Sequence, residues 1–408
     1  MSSTRSVFIQ AACVLLVAAL AMAAHAATYI VQPDGLGDYP TIQEAVSVCA
    51  DGDTVTLTNG TFTGEQNRDI VVPSISVTIH SQSENYLTCI IDCEGSARDE
   101  HRGFLFTTDV GTGDALLRNV AVVNGYVTNG GGGIWIEGAS PEIRNCAVAS
   151  CVVDGATRSG GGIYVTDGAT PFIIGCNITG NEADYGGGIA IWNSGGTYYS
   201  TEMRDNVAGD VGGGMYVQGS GLCQISYCDI VSNDAARGGG VRLLGGNTQI
   251  ANSIIARNDA TSHGGGVWMQ GGVLTSSTLV DNSAPNGGGV YCRAGSGNIT
   301  KCIIAFSSDG HGVGAYEAGD VPYLQCCDVY GNDDGDYDSV VGDQTGINNN
   351  FSDDPELCGL GTEDYWLYDT SPCLATSSPC GERVGRWGVG CDSPVESTSW
   401  GRLKALWR

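Results

Sequence analysis

Apolar residues recur along this chain with a short period nested inside a long one. A glycine triplet runs into an apolar residue seven times, at Ile134, Ile163, Ile189, Met215, Val241, Val267 and Val290, at intervals of 29, 26, 26, 26, 26 and 23 residues. Each opens a short alternating segment, such as Ile163-Tyr164-Val165 or Val267-Trp268-Met269. Alternation with period two is strand spacing with one face buried. A second apolar segment follows in the same repeat. Its pattern is Ile173, Cys176, Ile178, Asn181, and it returns at Ile225, Cys228, Ile230, Asn233 and at Ile250, Ser253, Ile255, Asn258. No repeat carries a helical pattern of useful length. A fixed period in this range marks stacked repeats. Two or three short strands must close each turn, with every strand parallel to its counterpart roughly 4.8 Å away. Parallel crossovers are right-handed. The pattern predicts an all-β chain, a right-handed parallel β-helix solenoid of about eleven coils between Thr54 and Val313.

The glycines and asparagines fit that coil. Glycine inside an element costs roughly 0.5–1 kcal/mol relative to alanine, so three per repeat imply a corner that needs positive φ or close backbone approach. Stacked Asn side chains predict an amide ladder along the axis, with Asn able to take the left-handed turn conformation itself.

Both ends break the period. Thr41 precedes Ile42-Gln43-Glu44-Ala45-Val46-Ser47-Val48-Cys49, a capping-box pattern with Ile42, Ala45, Val46 and Cys49 on one face. This predicts an amphipathic helix capping the first coil. Residues 348–391 hold Cys358, Cys373, Cys380 and Cys391 among Trp366, Leu367, Tyr368 and Trp387. They predict a Cys-rich C-terminal cap stapled by two disulfides, with three connectivities open. The domain reading is therefore a signal peptide at 1–26, the β-helix at 27–347, the cap at 348–391, and a spacer with a basic Trp/Leu tail at 392–408. That tail reads as a frayed end or as a sorting or anchoring segment.

Composition narrows the class. The formal net charge is −27, with Lys301 and Lys404 the only lysines. Nucleic acid binding needs a cationic surface and none is visible, so nucleic acid is not expected as a partner. Arg5, the apolar run Val7–Ala23 and Ala24-His25-Ala26 read as a secretory signal with its cleavage site, placing the protein outside the cell or on its surface. No later run is long enough for a transmembrane helix in the mature chain. Export and sixteen remaining cysteines permit disulfides. Pairs in adjacent coils, Cys146–Cys176 and Cys302–Cys327, lie within disulfide reach, and Cys89, Cys93 and Cys49 are further candidates. The alternative for the column is a row of free thiols acting as small hydrophobes.

Asp34-Gly35-Leu36-Gly37-Asp38-Tyr39-Pro40-Thr41-Ile42-Gln43-Glu44-Ala45-Val46 resembles the opening of pectin-lyase-like β-helix proteins, pectin methylesterases included, and Asp51-Gly52-Asp53-Thr54-Val55 continues it. Gly161-Gly162-Ile163 with Ile178-Thr179-Gly180-Asn181 is similar to the chlamydial polymorphic outer membrane protein repeat. These resemblances imply the β-helix fold. That fold hosts lyases, hydrolases, esterases and adhesins alike. The pectin methylesterase catalytic motifs are absent, and Gly310-His311-Gly312 stands without the other polygalacturonase elements, so no catalytic residue carries over.

Two sets of residues carry candidate chemistry. Trp135, Tyr164, Tyr216, Trp268 and Tyr291 each follow the first apolar strand position, so they form an outward column interrupted by Ala190 and Arg242. Such a row stacks on sugar rings or meets a partner, or it stabilises the sheet by cross-coil stacking. Asn332, Asp334, Asp336 and Asp338 alternate in an acidic loop and offer hard oxygens to Ca²⁺, although Tyr337 stands where an EF-hand needs glycine. Arg242, outward on its strand, and the turn residues Arg158, Arg237 and Arg257 are available as a lyase base; His263 and His101 read as corner histidines. The regular repeat favours a secreted or cell-surface protein for adhesion, carbohydrate binding or envelope structure, without catalysis. A polysaccharide lyase or glycoside hydrolase acting on an acidic, pectin-like glycan is the alternative. A polysaccharide or surface glycan is the expected partner, and the oligomeric state is left open.

Overall fold

The computed structural model describes residues 26–108, 114–155, 159–294, 297–360 and 364–391. The expected signal segment up to residue 25, Arg158 and the tail 392–408 lie outside the described residues. What is described winds into a parallel β-solenoid. One central coil runs Ile163–Thr166, Phe172–Ile174, Asn177–Thr179 and Glu182–Tyr185 before entering the next at Ile189–Trp192. Stacking the coils produces sheets of ten, twelve, eleven and six strands respectively. Register is strict: Ile134, Ile163, Ile189, Met215, Val241, Val267 and Val290 are successive partners. Their side chains are buried and form one wall of a continuous core.

Central coils have four strands where two or three were expected. The fourth, Glu182–Tyr185 and its equivalents, buries one alanine each (Ala183, Ala208, Ala235, Ala260) and, in one coil, Val211 beside mostly polar neighbours, so its alternation is faint in sequence. The twelve-stranded sheet also adds Thr28–Val31 before the expected first coil and Tyr323–Gln325 after the expected last one.

The glycine corner has two separate requirements. Gly212 sits at φ +68°, a region that costs other L-residues about 1 kcal/mol or more. Gly213 has ordinary φ, but a Cβ there would lie 2.5 Å from the Asp234 carbonyl oxygen and closer still to that of Gly239. The first glycine therefore supplies the turn and the second the approach of backbone to backbone. Asparagine forms the expected ladder but does not itself take the left-handed turn conformation. The left-handed residue is the one before it (Gly180, Asp205, Ser232, Arg257, Asp281). The Asn itself is buried, and its Nδ2 donates to the next Oδ1 at 3.0 Å from Asn181 through Asn206, Asn233 and Asn258 to Asn282.

Helix α1 (Ile42–Val48) closes the first coil, with the Thr41 hydroxyl accepting from the Glu44 N–H at 3.3 Å and Ile42, Ala45 and Val46 buried. At the other end Tyr337 and Val341, in the acidic stretch, pack on the core. The Cys-rich segment is not an end cap. It lies along the side of the solenoid, where Phe351, Leu357, Tyr365, Leu367 and Val384 cover an outward apolar stripe of Val231, Ile254, Val280, Ile303 and Ala305. One disulfide, Cys358–Cys391, lies within this strap, and the other ties Cys380 to Cys326 on the solenoid. Cys373 is free, donating to Asp328 Oδ2 at 3.1 Å. The bonds considered for Cys146–Cys176, Cys302–Cys327 and Cys49, Cys89 and Cys93 do not form. The thiols of the column point inward and donate to carbonyls, Cys176 to Ile143 and Cys327 to Ile299. No helix among the described residues is long and apolar enough to cross a membrane.

A candidate binding column on the ten-stranded sheet

The outward positions of the ten-stranded sheet line up as Trp135, Tyr164, Ala190, Tyr216, Arg242, Trp268 and Tyr291, each paired in register with the next. The expected column thus forms. It does not stand free in solvent. The sharp glycine corner brings a second column over its flank: Tyr185, Val211, Arg237 and His263, the last residues of the six-stranded sheet. Tyr185 meets Tyr216 at 5.7 Å, and His263 meets Trp268 at 6.3 Å and Tyr291 at 4.6 Å. Tyr216, Trp268 and Tyr291 are therefore only 4%, 5% and 6% exposed, while Trp135 and Tyr164, 6.0 Å apart, are half-buried.

Guanidinium groups fill the gaps between rings. Arg102 lies 5.0 Å over Trp135, Arg237 5.1 Å and Arg242 3.4 Å over Trp268, and Arg293 4.4 Å over Tyr316. Such contacts contribute roughly 0.5–2 kcal/mol each, more when desolvated. Arg242, expected as an exposed strand residue, is 3% exposed. It donates to the Leu243 carbonyl and, at 3.4 Å, to that of Trp268. Burial pushes its pKa down to about 9, and the charges of Arg237 and Arg293 add to the effect. The same two arginines, after burial, hold His263 below its ordinary value, while burial lifts Tyr216 to about 12. Arg237 pairs with Asp210. Arg293 and Tyr316 are exposed. Arg293 is thus the exposed cation of this face, with Arg237 reaching solvent in part beside Asp210, over packed aromatic rings.

The other candidates scatter. Arg257 adjoins Tyr365 under the strap. His101 contacts Asp69 at 2.5 Å and Asp99 at 3.1 Å. The acidic loop does not assemble a calcium site. Asn332 is buried, donating to the Ile304 carbonyl and to Asp336. Asp338 is spent on the N–H groups of Val340, Val341 and Ala315, and Asp336 accepts from Ser352. No metal-holding group of three or more His, Cys, Asp or Glu exists among the described residues. A second cationic row went unread: His80, Arg118 and Arg144 are register partners on the twelve-stranded sheet, edging an open cleft of about 550 Å³. The coils of His80 and Arg118 lack the glycine triplet that marks the coil of Arg144 and those after it.

A sequence profile described as a right handed beta helix region matches residues 45–253. No curated protein sequence matches the chain. Among solved structures, pectate lyase Pel9A is 14% identical, with 89% of this chain and 96% of that one covered and a TM-score of 0.52. The PL6 family alginate lyase AlyGC is 12% identical over 81% of this chain and 54% of that one, with a TM-score of 0.42. A pectin methylesterase from Aspergillus niger is 12% identical over 83% and 93%, with a TM-score of 0.32. At these identities the likeness to Pel9A is one of fold alone, and the two lower scores add nothing to it. Profile, register and sheet order agree, and the chain belongs to the right-handed β-helix family.

Proposed function

We propose that this chain is an exported β-helix protein that holds an anionic polysaccharide along the arginine–aromatic column without turning it over. The observation that carries this reading is the gathering of Arg237, Arg242 and Arg293 on one face of a chain with net charge −27. Such a face focuses positive potential where the rest of the surface repels polyanions. Arg237 and Arg242 flank one corner and Arg293 lies two coils further along the axis, roughly 10 Å at strand spacing, so a polymer lying along the axis spans both. A uronate chain offers carboxylates for guanidinium forks and apolar ring faces for Trp135 and Tyr164 at the half-buried end. The likeness to a pectate lyase makes polygalacturonate the first polymer to try. The signal-like residues 1–26 and the two disulfides fit an exported protein.

One observation favours the catalytic alternative: Arg242, with its pKa drawn to about 9, is the arginine nearest to serving as a base. A base must come within about 3.2 Å of the proton it takes, and Arg242 is almost fully buried under Trp268 and its neighbours. Binding is therefore preferred. Affinity electrophoresis tests it: polygalacturonate cast in the gel retards the protein, a neutral glucan does not, and salt weakens the effect. The double variant Arg237→Ala, Arg293→Ala loses the retardation. Unretarded wild type would end the proposal. Release of unsaturated ends that Arg242→Ala abolishes would replace it with the lyase.

A further inference from the structure

His263 stands among like charges on the ten-stranded face. It is the register partner of Arg237 one coil away. Its ring stacks on Trp268, which Arg237 and Arg242 also overlie, and on Tyr291, two residues before Arg293. The carboxylates around it are engaged elsewhere. Asp210 pairs with Arg237. Asp320 and Asp338 act on Tyr291, whose phenol burial pushes up, and Asp338 accepts from the N–H groups of Ala315, Val340 and Val341. The charges that act on His263 itself are those of Arg237 and Arg293.

The ring is fixed, with one nitrogen left over. Nδ1 lies 2.5 Å from the Ser262 hydroxyl, and the faces are held by Trp268 and Tyr291. Nε2 makes no hydrogen bond among the described residues, and on this half-buried side chain it keeps contact with solvent. Burial, and after it the two arginines, hold the imidazole below its ordinary value, so it is neutral at pH 7. An anion seated beside Arg237 and Arg293 reverses what the ring meets. It offsets their repulsion and accepts a hydrogen bond from Nε2–H, and both effects favour imidazolium. Linkage is reciprocal: an anion that favours the protonated ring is itself held more tightly when the ring is protonated.

We propose that His263 takes up a proton when the column binds a polyanion, so that Nε2–H donates to a carboxylate of the polymer and binding strengthens on acidification. One proton enters from solvent, and both ring nitrogens then carry hydrogen, Nδ1–H facing Ser262 and Nε2–H the ligand. The proposal rests on the reading of the column as a polyanion site and adds to it a binding residue and a pH dependence. At high pH the ring is neutral in free and bound protein and contributes nothing. Between the bound and the free titration points affinity rises as pH falls, by up to about tenfold per unit; below the free one the gain is complete.

Affinity electrophoresis in polygalacturonate at pH 5.5 and pH 8, each against a gel without polymer, tests this. The polymer's carboxylates, with ordinary values of about 3.5 to 4, stay ionised at both. Wild type should be held about threefold or more tightly at pH 5.5. His263→Gln keeps a donor but takes up no proton; it should match wild type at pH 8 and lose most of the gain at pH 5.5. His80, His101 and His311 remain in the variant, so the difference between the two proteins isolates His263. NMR supplies a second readout: the His263 imidazole should titrate at higher pH when a short oligogalacturonate is bound, and also in free Arg237→Ala. Equal retardation at the two pH values, a wild-type gain in His263→Gln, or an imidazole unmoved by bound oligogalacturonate overturns the proposal and leaves the column reading standing. Wild type unretarded at both pH values ends the column reading, and this proposal with it.

Discussion

Asp328 offers a sharp test of how the strap is held. Its side chain is fully buried where the last coil of the eleven-stranded sheet meets the strap. It accepts from the Cys373 thiol and from the Asp353 N–H, both at 3.1 Å. Those bonds favour the ionised form, but burial outweighs them and pushes the carboxyl up to about 7 from 3.8, with Asp353 and Asp336 adding repulsion. The sign follows from proton uptake. Below pH 4 the group is protonated in both states and costs nothing. Between about pH 4 and 7 the unfolded chain releases its proton and the folded one does not, so stability falls by about 1.4 kcal/mol per pH unit. Above pH 7 the loss is complete, at about 4 kcal/mol as an upper figure for a shift of this size. Asp328→Asn keeps an oxygen for Asp353 and removes the titration. Urea unfolding at pH 5 and pH 8 should show the variant gaining roughly 3 kcal/mol on wild type between the two. Asp229, Asp234 and Asp281, also raised by burial, move both proteins alike and cancel in the difference. An unchanged gap, or a variant less stable at pH 8, would refute the reasoning.

Gly213→Ala should destabilise by about 3 kcal/mol or more, because its Cβ meets backbone that cannot yield. Gly180→Ala, at φ +62° with nothing within 4 Å, should cost only about 1 kcal/mol; equal chemical-denaturation midpoints would contradict this. Asn233→Ala breaks the ladder to both neighbours and orphans the buried Asn206 N–H, for a loss of roughly 3 kcal/mol. Asn282→Ala, at the ladder's end, should lose less, and the two urea curves would show it. Mild reduction of Cys326–Cys380 and Cys358–Cys391 should loosen the strap before the solenoid, read as a change in tryptophan fluorescence with the far-ultraviolet spectrum unchanged.

The parts of the fold legible in sequence are those where each coil repeats the same demand. The inward columns, the glycine corner and the Asn ladder recur at one spacing because in-register parallel strands place like on like. Where a feature is made by two distant segments the repeat is silent. Ile254 and Ile303 read as ordinary strand residues, and only the structure shows them facing outward under Leu367 and Val384. Cys326 stands beside Cys327 in the turn between Tyr323–Gln325 and Asp328–Tyr330, its backbone left-handed at φ +54°, and bonds the strap while Cys327 faces the core. The column of Trp135, Tyr164, Tyr216, Trp268 and Tyr291 was legible as outward, but not as covered. Its covering comes from the angle at the glycine corner, which alternation alone does not encode.

The angle at that corner also bears on the choice between binding and catalysis. A reaction centre needs unlike groups converging on one point, and a strictly repeating solenoid puts like groups in lines. Here the residues that break the line are Ala190 and Arg242 in the outward column, and Arg237 and His263 in the column folded over it. The two arginines among them introduce cations, and Asp210 pairs with Arg237 instead of opposing it across a cleft. Under the binding proposal, Arg237, Arg242 and Arg293 beside flat rings would serve a long, repeating, negatively charged ligand. The geometry that would single out one bond, a base and an acid facing a common point, is what the near-complete burial of Arg242 withholds.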